Sequence, residues 1–236
     1  MSSLGGPNII TNGLILSLDA ANSKSYQSGS LIIYDRSGNN YSGSLINGPT
    51  YSSANGGSIV FDGTNDQLLI EQKPAQPTGI RLGSGTTPWM TNAWVKTTTG
   101  GNNGIGEAPI LTNRSGGPVY CNMGIGAGGV MKYNRYNLGW LTETGSIAIN
   151  NNRWHMLSWV NLNNNTLNMY VDGIFDKNVP STIQDPFNPV DIIGASFGGA
   201  SFNGSIAFLS ISISSKLYTD QDILQNYNAI KGRFNL

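Results

Sequence analysis

The sequence predicts an all-β protein, an antiparallel sandwich of two sheets with one short helix near its C-terminal end. In segments 154–161 and 166–171, large apolar side chains recur at every second residue, which is the repeat of a β-strand. Short segments of this kind recur between turns rich in Gly, Asn, Ser and Pro along most of the chain. That pattern is typical of a sandwich and unlike a regular alternation of strands and helices.

The central predicted element is a hairpin over 153–173. The even-numbered residues of its first strand, 154–160, fall on one face, and the odd-numbered residues, 155–161, fall on the other. Both faces carry large apolar groups, so we expect a central strand, joined to the second by a turn at Asn163–Asn165. The residues expected to be buried between two sheets are Trp154, Leu157, Trp159, Val160, Leu167, Met169, Val171, Ile206 and Phe208.

The other elements follow from the same patterns. Further strands are predicted at 9–18, 89–95, 110–111, 119–123, 130–133, 136–141, 146–149, 191–194 and 202–213. Loops are predicted at 71–87, 97–108, 176–189 and 196–203. The C-terminal helix has Thr219 as its N-cap and Asp222 as the capping-box partner. Gly232 is expected to end it.

Several motifs resemble one family. The hairpin that reads Arg-Trp-His at 153–155 and Tyr-Val-Asp-Gly at 170–173 is similar to that of laminin G-like domains, in the concanavalin A-like lectin and glucanase superfamily. Segments 12–235 together resemble the laminin G-like proteins of tailed bacteriophages, especially phages of marine cyanobacteria. The motifs that carry this resemblance are Leu18–Asn22, Asp35–Asn40, Asn47–Tyr51, Val60–Asp66, Gly204–Phe208 and Asp222–Phe234.

The resemblance implies a jelly roll and a role on a virus particle. We expect an N-terminal tail at 1–8 and a single jelly-roll domain at 9–236. The expected function is that of a non-enzymatic virion protein, a head decoration or tail accessory protein present in several copies beside other capsid or tail proteins. The alternative is a carbohydrate-binding adhesin module, viral or bacterial, that recognises host surface glycans. The fold hosts both kinds of protein, so it does not decide between them.

Composition restricts the partners. Charged residues make up 11% of the chain, with 13 basic and 13 acidic residues. A neutral chain without a basic cluster is not expected to bind nucleic acid. The N-terminal residues lack the pattern of a secretory signal and no apolar run is long enough for a membrane span, so we expect synthesis in a host cytoplasm. Display on a virion surface is what the resemblance to phage proteins implies. The single cysteine, Cys121, allows no intrachain disulfide.

The motifs that would indicate catalysis are weak. Gly124–Gly129 matches G-x-G-x-x-G, but the residues that follow predict a strand, whereas a dinucleotide site needs a helix there. His155 is the only histidine and is expected to be packed or half-buried. Glycoside hydrolysis needs two carboxylates at a set separation. Glu71, Glu107 and Glu143 are far apart in the sequence, so we expect no enzyme activity.

Calcium is the best candidate among metal ions, because it binds carboxylate and amide oxygens. Acid and Asn residues cluster in turns, and relatives of the resembled family often bind Ca²⁺ at a sandwich rim. The candidate ligands are Asp19, Asp35, Asn39, Asp62 and Asp66. The alternative is that these residues only shape turns.

Sugar binding would need exposed aromatic rings beside amide and carboxylate groups. The candidate contacts are Trp89, Tyr133, Tyr136 and Trp140, with the loop at 97–108. The alternative is that aromatic residues at strand positions belong to the core.

Overall fold

Over the residues that it describes, a computed structural model shows two antiparallel sheets of eight strands each, packed face to face, which confirms the predicted sandwich. The structure describes residues 7–72, 79–82, 87–101, 107–113, 119–137, 140–162, 166–180, 189–196 and 198–236. In chain order, the strands are β1 (Leu14–Asp19), β2 (Ile32–Tyr34), β3 (Tyr41–Ile46), β4 (Thr50–Ser52), β5 (Ser58–Asp62), β6 (Gln67–Gln72), β7 (Trp89–Lys96), β8 (Glu107–Thr112), β9 (Val119–Gly126), β10 (Val130–Asn137), β11 (Trp140–Ala148), β12 (Trp154–Asn161), β13 (Thr166–Val171), β14 (Ile174–Pro180), β15 (Ile192–Ile193) and β16 (Asn203–Ile213).

The strands divide between the two sheets in a crossed-over order. Sheet one runs β14-β13-β12-β7-β16-β5-β4, and β1 also pairs with β16. Sheet two runs β11-β10-β9-β8-β15-β6-β3-β2. Neighbours far apart in sequence, such as β7 and β16, therefore lie side by side, which is the arrangement expected of a jelly roll.

The predicted hairpin is central, as expected. Strand β12 lies between β7 and β13, and Trp159 is directly paired with both Thr91 and Met169. Trp159 is only 1% exposed, and its ring lies in the core between the two sheets. The predicted turn at 163–165 lies outside the described residues.

One part of the core prediction is wrong. Trp154, Val160 and Phe208 are buried as expected, but they lie on the opposite face of sheet one from the second sheet. There they form a second apolar cluster beneath the C-terminal helix. Both faces of sheet one are therefore covered, because its inner face meets sheet two and its outer face meets the helix.

The helix α1 (Asp220–Ile230) begins as predicted. Thr219 donates its backbone N–H to Asp222 Oδ2 at 2.8 Å, and Thr219 Oγ1 accepts from the Asp222 N–H at 3.3 Å. The predicted end at Gly232 is wrong, because Lys231 keeps a helical backbone and the chain continues as a 3-10 helix over Lys231–Phe234. This extra turn places the Phe234 ring 4.6 Å from the rings of both Trp94 and Trp154.

Three further sequence predictions change in detail. The strand predicted from residue 9 starts at Leu14, and Ile9 and Ile10 pack on the helix-side cluster instead. Part of the loop predicted at 176–189 is the edge strand β14. The glycine motif at 124–129 links β9 to β10 through a short 3-10 turn, which confirms that it opens no helix.

No helix in the described parts of the chain is both long and apolar enough to cross a membrane.

Candidate functional site

The outer face of sheet two carries a row of polar side chains. In β9 and β10, Met123 and Tyr133 point into the core between the sheets. Because successive side chains of a strand alternate between faces, Asn122, Lys132 and Asn134 lie on the outer face. Asn122 pairs directly with Asn134 across the two strands. The row continues to Thr112 on β8 and Thr142 on β11.

A carboxylate lies beside this row. Glu107 is on β8, and its Oε2 accepts a hydrogen bond from Asn122 Nδ2 at 2.5 Å. Lys132 Nζ lies 3.4 Å from Glu107 Oε1. The Glu107 and Lys132 side chains are only 9% and 13% exposed. One acid, one ammonium and two amides from three neighbouring strands therefore form a compact polar cluster, which we call the Asn122–Asn134 site.

Two acceptor atoms in this site make no hydrogen bond within the described structure. Asn122 Oδ1 and Asn134 Oδ1 are both buried and unpartnered. A buried acceptor without a donor loses about 1–3 kcal/mol, so native structures seldom leave two neighbouring ones without a role. Thr142 and Thr144 are exposed on β11, beside this buried floor. The site thus combines exposed hydroxyl groups with two buried oxygen acceptors that lack a donor among the described residues.

The predicted aromatic contacts are only partly brought to this face. Trp89 and Tyr133 are each 1% exposed and lie in the core between the sheets, which corrects the prediction that they contact a glycan. A buried ring has no free face on which a sugar can stack. Tyr136 on β10 is the cross-strand partner of Trp140 on β11. This pair lies two residues along the strands from the pair of Asn134 and Thr142. Their side chains lie outside the described structure, so their contacts with a ligand stay a prediction.

The candidate calcium ligands at the start of the chain are engaged in structural bonds. Asp19 Oδ1 lies 2.8 Å from Arg233 Nη1 and accepts the N–H of Ala21 at 2.9 Å. Asp35 accepts the backbone N–H groups of Ser17 and Ser37, each at 2.8 Å. Asn39 donates through Nδ2 to the carbonyl groups of residues 14 and 15, each at 3.1 Å. The bonds of Asp35 to Ser17 and of Asn39 to residues 14 and 15 hold β1 against the turn that follows β2.

The remaining two candidates share one turn between β5 and β6. Asp66 Oδ2 accepts the backbone N–H of Asp62 at 2.9 Å, and Asp62 Oδ1 accepts the N–H of Thr64 at 2.7 Å. Burial raises the pKa of Asp66 above its ordinary value. Across the described ranges, no three His, Cys, Asp or Glu side chains gather as metal ligands. Calcium binding stays a prediction, and the turn-forming role is the one that the hydrogen bonds document.

The three glutamates do not meet. Glu107 lies on the outer face of sheet two, whereas Glu143 pairs with Tyr133 and shares the inward face, where it contacts Lys177 at 2.8 Å. Glu71 is on β6 beside Ser44, which donates to it at 3.3 Å. The three glutamates therefore make separate contacts, and no two of them are neighbours.

His155 fixes the end of the central hairpin. Its Nδ1 lies 2.7 Å from Asp172 Oδ2, and its Nε2 lies 3.0 Å from Asn151 Oδ1. The other oxygen of Asp172 accepts the N–H of Met156 at 2.8 Å. With a side chain 13% exposed, His155 is half-buried as predicted, and both of its ring nitrogens are engaged.

Sequence reasoning missed the polar cluster itself. Glu107, Asn122 and Lys132 lie on three successive strands, and the pairing of β8, β9 and β10 brings them together. A local signal was present, because polar residues alternate with apolar ones at 122–123 and at 131–134. Which strands stand side by side is not readable from that alternation.

The comparisons with known proteins identify the fold. No protein-family model and no curated protein sequence matches the chain. Domain 4 of AbnA, a GH43 extracellular arabinanase from Geobacillus stearothermophilus, was solved in complex with arabinotriose and superposes with a TM-score of 0.66 at 16% identity, over 91% of this chain and 98% of that domain. The botulinum neurotoxin serotype D binding domain has a TM-score of 0.66 at 13% identity, over 92% of this chain and 51% of that one.

A third similar structure is the binding domain of Paraclostridial Mosquitocidal Protein 1, with a TM-score of 0.64 at 14% identity, over 93% of this chain and 52% of that domain. The chain spans about half the length of these toxin binding domains. At this level of identity the likeness shows the fold. Two of these three structures are binding domains, and the third was solved in complex with arabinotriose.

Proposed function

We propose that the chain is a non-catalytic carbohydrate-binding module whose ligand lies on the outer face of sheet two. The observation that carries this proposal is the direct pairing of Asn122 and Asn134, two residues whose amide oxygens are buried and unpartnered among the described residues. The proposal keeps the alternative that the sequence offered, a glycan-recognising module, as the main function.

The chemistry of the Asn122–Asn134 site suits a saccharide. Sugar hydroxyl groups both donate and accept hydrogen bonds, so in this proposal they supply the donors that the two Oδ1 acceptors lack. The hydroxyl groups of Thr142 and Thr144 extend the polar surface towards solvent. In this proposal Tyr136 and Trp140, one row further along, supply the rings against which a sugar stacks.

The positions of the acids support binding without hydrolysis. Strand β15 pairs Ile192 with both Leu69 and Thr112, which aligns β6 with β8. By this register and the rise of a β-strand, Glu71 and Glu107 are roughly 20 Å apart along the strand direction. Glycoside hydrolases that use a carboxylate pair hold it about 5–10 Å apart. Glu107 is therefore proposed to bind the ligand.

The fold comparisons support the same function. Domain 4 of the arabinanase matches this chain over nearly its full length and was solved with arabinotriose. We therefore take arabinotriose as the first probe, and a glycan array as the search for other ligands.

The test is a calorimetric titration of the full chain. The ligand is arabinotriose, or a glycan that the array has shown to bind. Asn134→Ala should weaken binding about tenfold, because it removes an acceptor at the centre of the site. Asn178→Ala is the matched control, since Asn178 is exposed on β14 of sheet one. Binding that survives in Asn134→Ala and Asn122→Ala alike would place the glycan elsewhere.

We further propose that the module is displayed on a tailed phage particle beside other virion proteins. Its support is the resemblance of the motifs at 18–22, 35–40, 47–51 and 60–66 to phage-encoded laminin G-like proteins. Labelling intact particles with an antibody against the folded chain tests this proposal. Purified particles that do not contain this protein would contradict the proposal.

A further inference from the structure

A second cleft opens on the helix side of sheet one, away from the Asn122–Asn134 site. It lies between residues 7–9, strand β1 and the C-terminal end of α1. We infer that this cleft binds a saccharide unit that carries a carboxylate, such as a uronic acid. The inference goes beyond the proposed function, because it concerns a separate site and an acidic ligand.

The size and lining of the cleft suit one or two sugar units. Its volume is about 450 Å³, within the range of roughly 300–1,000 Å³ that small-molecule sites occupy. Phe208, Ala229 and Ile230 supply an apolar wall. Such a wall packs against the C–H face of a sugar ring, while polar groups at the rim bind its hydroxyl groups.

Four polar groups at the cleft have spare hydrogen-bonding capacity among the described residues. Asp19 uses Oδ1 for both of its bonds, which leaves Oδ2 available. Asn22 uses Oδ1 to accept from the Lys24 N–H at 3.0 Å, which leaves its Nδ2 donor available. The Ser17 hydroxyl and the exposed Arg36 guanidinium also line the cleft, and neither makes a side-chain bond within the structure described.

The charge balance favours an anionic ligand. Asp19 is paired with Arg233 at 2.8 Å, so these two charges offset each other. Arg36 remains as the one additional charge among the residues that line the cleft. A guanidinium binds a carboxylate through two parallel hydrogen bonds, which makes Arg36 the carboxylate contact. Asp19 Oδ2, Asn22 Nδ2 and the Ser17 hydroxyl then face the hydroxyl groups of the same sugar.

The test compares three probes on the full chain by NMR titration at equal concentration and ionic strength. Sodium glucuronate should bind. Glucose should bind more weakly because it lacks the carboxylate, and sodium acetate should bind more weakly still because it lacks the sugar ring and its hydroxyl groups. Arg36→Gln should weaken glucuronate binding about tenfold or more, with little effect on folding, since Arg36 makes no described side-chain bond. Arg153→Gln is the matched control, because Arg153 is exposed and lies outside the cleft.

A second variant separates charge from structure. Asn22→Asp retains the oxygen that accepts the Lys24 N–H but adds a negative charge. It should therefore also weaken glucuronate binding, while the melting temperature stays near that of the parent. The inference is overturned if glucuronate does not bind, if acetate binds as well as glucuronate, or if Arg36→Gln binds normally. If Asn134→Ala loses glucuronate binding and Arg36→Gln keeps it, glucuronate binds at sheet two. That result would likewise overturn the inference.

Discussion

Arg233 Nη1 lies 2.8 Å from Asp19 Oδ1, a contact that joins the last turn of the described chain to the end of its first strand. The same guanidinium donates through Nε to the carbonyl of Asn55 at 2.6 Å and through Nη2 to the carbonyl of Gly57. One side chain thereby ties together three segments that are distant in sequence. Its position next to Phe234 also places it at the rim of the helix-side apolar cluster.

The first prediction concerns this contact. Arg233→Ala should lower the free energy of unfolding by about 2–3 kcal/mol, because it leaves the Asp19 carboxylate and two carbonyl groups without a charged donor. Arg233→Lys should recover only part of that loss, since an ammonium lacks the planar fork of a guanidinium. Urea unfolding measures both values. A loss as small as that of Arg153→Ala, an exposed arginine, would show that the contact adds nothing to stability.

The second prediction concerns the centre of the sandwich. Trp159→Ala should lower the free energy of unfolding by about 3–5 kcal/mol, because it empties a fully buried site between the sheets. Ile174→Ala, at a residue 64% exposed, is the control and should change it by less than about 0.5 kcal/mol. A Trp159 variant as stable as the Ile174 control would contradict the central position of β12.

The third prediction is alkaline destabilisation. Burial, together with the hydrogen bond to Asp220, raises the pKa of Tyr170 from 10.0 to about 12. Burial likewise raises the pKa of Tyr218 to about 12. Since the folded-state pKa lies above the unfolded value, each phenol stabilises the fold fully below pH 10 and loses that contribution as the pH rises towards 12. Stability against urea should therefore fall across this window.

The matching measurement is the ultraviolet titration of phenolate. Tyr170→Phe and Tyr218→Phe should each remove part of the late-titrating absorbance and flatten the fall in stability above pH 10. If all tyrosines of the folded protein titrate near 10.0, the two phenols are not desolvated as the structure describes.

The fourth prediction concerns the only cysteine. Burial raises the pKa of the Cys121 thiol to about 12, and the residue is 5% exposed. The thiolate is the reactive form, so Cys121 should react with an aromatic disulfide reagent only as fast as the protein unfolds. Adding denaturant should restore rapid labelling. Fast labelling of the native protein would contradict the inward position of this residue.

Local sequence patterns predict the strands and the helix of this fold well, but they predict poorly what packs against each of them. The alternation at 154–161 correctly separates the two faces of β12, and Thr219 with Asp222 correctly marks the start of the helix. The same alternation cannot tell which layer covers each face, so Trp154 was expected between the sheets and lies beneath the helix. The outer face of β12 is covered partly by the extra turn at Lys231–Phe234. Long-range packing stabilises this turn although Gly232 was expected to end the helix.

The candidate sites were harder to predict for the same reason. Trp89 and Tyr133 have the composition of a sugar platform, but whether an aromatic ring faces a ligand or the core depends on strand register. The Asn122–Asn134 site needs the pairing of β9 with β10. The cleft on the helix side needs Ser17, Asn22 and Arg36 to meet the end of a helix that lies far along the chain. Neither juxtaposition has a signature within any single segment.

The two ends of the described chain emerge on the same side of the sandwich. Asn8 accepts a hydrogen bond from Gln225 of α1 at 2.8 Å, and residues 235–236 follow the 3-10 turn on that helix. A protein joined after residue 236 would therefore attach behind sheet one. The Asn122–Asn134 site would point outwards from such an attachment, so tandem copies or fusions of this module can display that face without blocking it.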